Sequence, residues 1–483
     1  MLAKAYFNIR NTGFVVASMF VFILLIEYVS LIFFDDLGDG FLKLLEGQLL
    51  VIYLFAIFFA IRLVGLWHLF TMFLLTFGLF LLSRPILDVL GYQYSYIVES
   101  LVQVDVPMLI RIEIVMVLSC SILIFQICFL YFVRFEDVNF SLPSLKTDQN
   151  LISLGKFLMI SSSPLVLFRS YQQIMLIKTL GYGALFSGEV QQADMNPIVR
   201  LSITFFSIGY YFIIGGKPSK KKFIGYSFFY LGLSMLNLII GSRMGIVLNV
   251  LFILWYLHAV YGQKFKFKKI FLYFTVAIIC LQVVALKRIS SEVDMGIGEM
   301  IFSFFSFQGI SMITLAIYIQ YGSTFVAHTV PYVLDPLYYG INVIFNPWLL
   351  RAGQSVETIA VRSDFGHHLT YSMNENYYLS GFSLGTSFIS ELYEFGIFGV
   401  LFGCVLLTWL ITYFSRKVKV SKYLLIFSML IVSHVLSTPR GNFFYNTYIL
   451  FRLILMMIII YYIYILFKKI KNQLSTNGQK VLD

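Results

Sequence analysis

The stretch MIFSFFSFQGISMITLAIYIQYG, residues 300–322, decides the fold. A membrane-crossing helix needs about 20 consecutive apolar residues, and this run is long enough. If it crosses, every later segment changes sides. Gln308, Gly309 and Ser311 interrupt it midway, so its neighbours must settle the question.

Those neighbours are almost all apolar. The chain has 483 residues, 59% hydrophobic and 12% charged, with a mean hydropathy of +0.85. A soluble domain needs more polar surface than that. Its 51 Phe and 32 Tyr suit rings that face acyl chains and interfaces. Backbone in lipid must satisfy its own hydrogen bonds, and long apolar runs do so as helices. The fold class expected is therefore all-α: a polytopic integral membrane protein.

Apolar runs at 14–34, 48–62, 64–83, 108–133, 152–177, 198–216, 223–240, 244–262, 270–286, 386–414, 422–437 and 447–467 give about twelve spans. The second and third read as a tight hairpin. The basic-then-apolar N-terminus reads as a retained first span, since a signal peptide has a shorter apolar core and a small-residue cleavage site.

Lysine and arginine orient the spans. With the N-terminus inside, KPSKKK (217–222), KFKFKK (264–269), RKVKVSK (416–422) and KKIK (468–471) all lie inside, with most of the 35 basic residues. Most acids lie outside. A crossing at 300–322 would put the last two basic clusters outside. The stretch is therefore expected to lie in or dip into the outer leaflet. The organisation follows: nine spans over 1–286, a large external loop with short helices over 287–385, three spans over 386–467, and a cytoplasmic tail over 468–483. Loops so long are seldom passive.

The +11 net charge belongs to these inner loops. No phosphate-loop or RNA-binding signature accompanies it, so no nucleic-acid partner is expected. Four cysteines (Cys120, Cys128, Cys280, Cys404) sit in apolar segments and read as small core residues. No metal-ligand spacing occurs.

Six cations break the inward trend: Arg243 in IIGSRMG, Lys287 and Arg288 in VALKRIS, Arg351 after NPWLL, Arg362 before SDFGHH, and Arg440 in STPRGNFF. Any one alone could snorkel to the headgroups. Their convergence on one face suggests a cradle for a dianion, because guanidinium groups pair bidentately with phosphate oxygens. In the external loop, His367 and His368 are two of six histidines. An imidazole there can take a proton from a sugar hydroxyl, with Asp364 and Glu375 nearby. Glu391 and Glu394, three apart, share one face of an expected helix and would orient the arginines. Glu27 and Glu113 are weaker cases of an acid inside a span.

Several motifs together resemble the Wzy-type oligosaccharide repeat-unit polymerases, including the enterobacterial-common-antigen branch. They are IIGSRMGIVLNVLF, VALKRIS, NPWLLRAGQS, GFSLGTSFISELYEFGIFGVLFG and STPRGNFF, in that order over roughly 235–450. The resemblance implies a GT-C-like fold in the bacterial inner membrane, and the lysine and arginine distribution puts both termini in the cytoplasm. The resemblance also implies transfer of a growing glycan from undecaprenyl diphosphate to an incoming lipid-linked unit at the periplasmic face, with no nucleotide, metal or other cofactor. Arg243, Arg288 and Arg440 would hold the diphosphate, assisted by Lys287 and Arg351. His367 or His368 would be the base, with Glu375 behind it. The partners implied are the lipid-linked oligosaccharide, membrane lipids and a Wzz-type chain-length co-polymerase. An O-antigen ligase and a repeat-unit flippase or exporter are the competing readings. The long outer loop and clean spans weigh against an exporter.

Overall fold

The computed structural model describes residues 2–33, 38–92, 97–98, 104–134, 145–180, 196–236, 244–265, 297–346 and 353–479. Helices dominate them, as lipid-facing backbone requires. The first nine are α1 (Leu2–Phe33), α2 (Asp39–Val64), α3 (Leu69–Phe77), α4 (Ser83–Val89), α5 (Met108–Phe132), α6 (Gln149–Leu180), α7 (Pro197–Gly215), α8 (Lys220–Ser234) and α9 (Met244–Tyr261). The loop region holds α10 (Ile297–Gln308), α11 (Ile310–Tyr321), α12 (Asp335–Phe345), α13 (Val356–Val361), α14 (Phe365–Met373) and α15 (Glu375–Leu379). Then come α16 (Phe388–Leu392), α17 (Gly396–Lys417), α18 (Lys422–Ile426), α19 (Ser428–Ser437) and α20 (Thr447–Gln479). A wide π-turn, Gly78–Leu82, joins α3 to α4, and a two-residue antiparallel pair, Ile97–Val98 with Val104–Asp105, precedes α5.

Among the described residues, eight helical stretches are long and apolar enough to cross a membrane; they lie in α1, α2, α3–α4, α5, α6, α9, α16–α17 and α20. Three expected boundaries differ. α2 starts at Asp39, well before 48, because Glu46 is not punctuation but a buried side chain, 1% exposed. The run 386–414 is not one helix: residues 393–395 form a tight 3-10 turn and Gly396 adopts φ +65°, which separates α16 from α17. The run 422–437 is split into α18 and α19 at Phe427. The expected hairpin between the second and third spans is present, turning at Gly65 with φ +89°. The expected span at 270–286 lies outside the described residues.

The core forms where α3, α5 and α16 meet. Phe73, Phe77, Phe125 and Phe388 are all fully buried there, with Phe73 and Phe125 edge-to-face at 5.0 Å and Phe77 and Phe125 at 5.7 Å. Each such pair is worth about 0.5–1.5 kcal/mol beyond area burial. α6 and α7 make the most extensive helix pair. A Cβ on Gly155 would stand 2.4 Å from the Gly209 carbonyl oxygen, and one on Gly209 would stand 2.8 Å from that of Gly155. Small residues let two backbones touch in a membrane.

Polar contacts define two ends. At one, the Tyr6 hydroxyl donates to the Val133 carbonyl (2.9 Å) and Arg416 to that of Phe132 (3.1 Å). Lys217 donates to Leu145 (3.0 Å), Lys468 to Asn150 (3.0 Å), and Lys422 pairs with Asp148. At the other, the Tyr393 hydroxyl donates to Glu113. Glu113 and Phe132 lie roughly 28 Å apart along α5. The deciding stretch bends by 45° between α10 and α11. Phe302 near its start stacks on Tyr92 (5.7 Å), and Tyr318 near its end meets Phe365 (5.4 Å).

Candidate functional site

Two neighbouring groups of side chains occupy the Glu113 end. The first forms around the π-turn. A Cβ on Gly78 would collide with the Tyr53 hydroxyl, which donates to the Leu74 carbonyl at 3.1 Å. The turn carries the chain into α4, where Arg84 is 4% exposed and packs against Gly309 at the α10–α11 bend. Arg440, in the turn after α19, is exposed. Its Nη1 donates to Gln308 Oε1 (2.5 Å), and its guanidinium lies 5.7 Å from the Phe80 ring centre. Two arginines, an amide and an aromatic face thus meet where α4, the bend and residues 438–440 converge.

Glu391 fixes this turn from below. It is wholly buried, accepting from Asn442 Nδ2 (2.7 Å) and the Phe443 N–H (2.9 Å). Its helix is capped by Ser387, whose Oγ accepts from the Ser390 N–H at 3.1 Å.

The second group is the loop cluster. Asp335, fully buried, accepts from the Ser363 N–H (2.7 Å) and from Arg362 Nη2 (3.3 Å). Asp364 accepts from the same Nη2 (2.8 Å) and caps α14 by accepting from the His367 N–H (3.0 Å). The Arg362 guanidinium also lies 4.2 Å above the Tyr339 ring. Burial pushes the Asp335 carboxyl up, and Arg362 offsets only part of that. Burial also opposes the charge on Asp364, yet its carboxyl is held below the usual range. At neutral pH the groups that hold it are Arg362 and the His367 N–H, because burial pushes the His367 imidazole down to about 4 and leaves it uncharged there.

The two paired histidines face different surroundings. His367 meets the Tyr378 hydroxyl through Nδ1 at 2.9 Å. His368 is wholly buried and donates from Nε2 to the carbonyls of Arg362 (2.5 Å) and Ile359 (3.2 Å). Burial lowers its basicity too. A third imidazole stands beside them: His328 lies 6.1 Å from His368, ring centre to ring centre, stacks on Tyr332 at 4.1 Å, and bonds Glu394.

The residues singled out by sequence divide accordingly. His367, His368 and Arg362 come together. Arg440 belongs to the first group. Glu375 is exposed at the start of α15 and accepts from the Tyr371 hydroxyl (3.0 Å); Tyr371 in turn packs on Tyr378. Glu391 and Glu394 are set apart by the 393–395 turn, and each holds backbone of a different segment: Phe443 for Glu391, Tyr332 for Glu394. Arg243, Lys287, Arg288 and Arg351 lie outside the described residues. Gly245, two residues after Arg243, lines a cavity of about 260 Å³ with Ser170, Ser207, Ser234 and Asn249.

Sequence reasoning missed Arg84, Asp335 and His328. Arg84 meets the off-trend criterion that selected the six cations, since it ends a span on the acid-rich side. Asp335 and His328 carry no local signal, because their partners are 27 and 66 residues away.

Comparison with curated proteins and with solved structures returns no match. The family model described as O-antigen polysaccharide polymerase Wzy matches residues 14–471, nearly the whole chain and both side-chain groups. With a helical multi-pass architecture beneath that match, the chain belongs to the O-antigen polysaccharide polymerase Wzy family.

Proposed function

We propose that the protein joins lipid-linked oligosaccharide units at the periplasmic face of the bacterial inner membrane. The growing glycan leaves undecaprenyl diphosphate and passes to a hydroxyl of the incoming unit. The family establishes repeat-unit polymerisation; carrier, face and residue roles are our reading.

The observation that carries it is the meeting of Arg440, Gln308 and Arg84 at the end away from the basic loops. Lys217, Arg416, Lys422 and Lys468 gather at the opposite end, and clustered basic residues favour the cytoplasm. The Arg440 end is then periplasmic, and α10–α11 enters and leaves on that side. An exposed guanidinium backed by an amide suits a diphosphate, whose negative charge grows as the glycosyl bond breaks. Arg243, Lys287, Arg288 and Arg351 would complete the cradle. Arg362 serves the loop instead, because its guanidinium is committed to Asp335, Asp364 and Tyr339. The loop imidazoles supply proton transfer, and a Wzz-type partner would set chain length.

A deletion strain tests this on a lipopolysaccharide gel. The expected pattern is lipid A-core carrying a single repeat, with the ladder restored by the wild-type gene but not by Arg243→Ala. Core with no repeat at all would instead indicate a ligase. Lipid-linked units trapped on the cytoplasmic face would indicate an exporter.

A further inference from the structure

We infer that His328, held by Glu394, takes the proton from the acceptor sugar hydroxyl. This rests on the polymerase reading above and names the base within it.

Three imidazoles compete for the role, and their hydrogen bonds separate them. His368 is sealed from solvent with Nε2 turned to two carbonyls. His367 is engaged at Nδ1 by the neutral Tyr378 hydroxyl, and burial holds its imidazole down to about 4, a weak base. His328 differs. Its Nε2 donates to Glu394 Oε1 at 2.9 Å, which leaves the Nδ1 lone pair to accept a proton. The other carboxylate oxygen, Oε2, accepts from the Tyr332 N–H at 2.7 Å, so Glu394 is fixed at both oxygens. The side chains of His328 and Glu394 are 24% and 17% exposed, so this ring is open to solvent where that of His368 is sealed. The Tyr332 ring below fixes its tilt. A carboxylate on one imidazole nitrogen sets the tautomer and stabilises the imidazolium that forms.

Glu394 is a positioning residue. It sits in the turn that separates α16 from α17, and the neighbouring Tyr393 is tied to Glu113 of α5. The break in the span thus aims the carboxylate into the loop. In the step, the acceptor hydroxyl oxygen bonds to the donor's anomeric carbon and its proton passes to His328 Nδ1. The bond from that carbon to the diphosphate oxygen breaks, and the electron pair leaves with the lipid diphosphate. No oxidant or further reactant is needed.

The test uses reconstituted full-length protein and a purified lipid-linked repeat unit. His328→Gln should lower kcat by about 10²–10⁴-fold, the usual contribution of a general base, with little change in KM. His328→Gly should be equally slow and should regain activity with added imidazole. Glu394→Gln should lower kcat less than His328→Gln does. Wild-type kcat in His328→Gln overturns the inference. So does a folded, monodisperse His328→Gly that imidazole does not rescue, which would make the pair a strut for the loop. If His328→Gly fails to fold, His328→Gln, whose amide still donates to Glu394, decides alone. Wild-type protein that forms no polymer would count against the polymerase reading itself.

Discussion

Arg362 shows how a single side chain organises the loop. It bonds Asp335 and Asp364 and lies over Tyr339, joining α12 to the start of α14. Asp335→Ala leaves Arg362 paired with Asp364 but strands the buried Ser363 N–H, and an unsatisfied buried donor costs about 1–3 kcal/mol. Local stability over 335–345 and 353–379 is expected to fall by about that amount, read as faster amide hydrogen exchange there than in α5. The imidazoles make the loop sensitive to acid. His367 is held neutral by burial, down to about 4, against an ordinary value of about 6.5. A depressed value adds stability that is complete above about 6.5 and lost as pH falls towards 4. His368 acts in the same direction, and Asp335, pushed up by burial, in the opposite one. Exchange protection over 353–379 should drop as pH falls from about 6.5 to 4, and His367→Phe should flatten that drop. The doubled histidine was visible in the sequence as an unusual pair. What it bonds was not, because Tyr378 and the Arg362 carbonyl come into reach only once α13, α14 and α15 fold over one another.

Among the elements, helix existence was legible and helix breaks were not. Long apolar runs led directly to α1, α5 and α20. Glu46 misled because a polar residue in an apolar run reads as a boundary, whereas here it is buried among helices. The break at 393–395 was hidden because ELYEFG has ordinary helical composition; only Gly396 at φ +65° marks it. The π-turn at 78–82 likewise has no sequence signature. Element contacts give two predictions. Gly209→Val should force α6 from α7, where backbone already meets backbone. Overpacking of this kind costs about 1–3 kcal/mol, to be read as a lower melting temperature in detergent. Glu391→Ala should loosen the 440–443 turn by removing the acceptor of Asn442 Nδ2 and of the Phe443 N–H, leaving the Arg440–Gln308 and His434–Phe443 contacts. Polymer formation should fall while α6–α7 packing, followed by thermal unfolding, stays intact.

Over the whole molecule, the two ends separate the chemistry. Basic residues and helix ends knit together at one, and the loop, the α10–α11 bend and the Arg440 turn at the other. Charge counting anticipated that division, because the positive-inside rule acts on composition rather than contact. Of the six cations singled out by sequence, Arg440 alone stands at this meeting among the described residues, and Arg84 joins it through a bend that no local pattern announces. The most direct measurement is polymer formation from a purified undecaprenyl-diphosphate-linked unit by reconstituted protein, wild type against Arg440→Ala. Loss of one preorganised donor to developing charge slows turnover by about 100-fold or more, and that loss is predicted here with the fold retained. A folded Arg440→Ala protein that builds long chains at the wild-type rate would contradict the cradle and the function drawn from it.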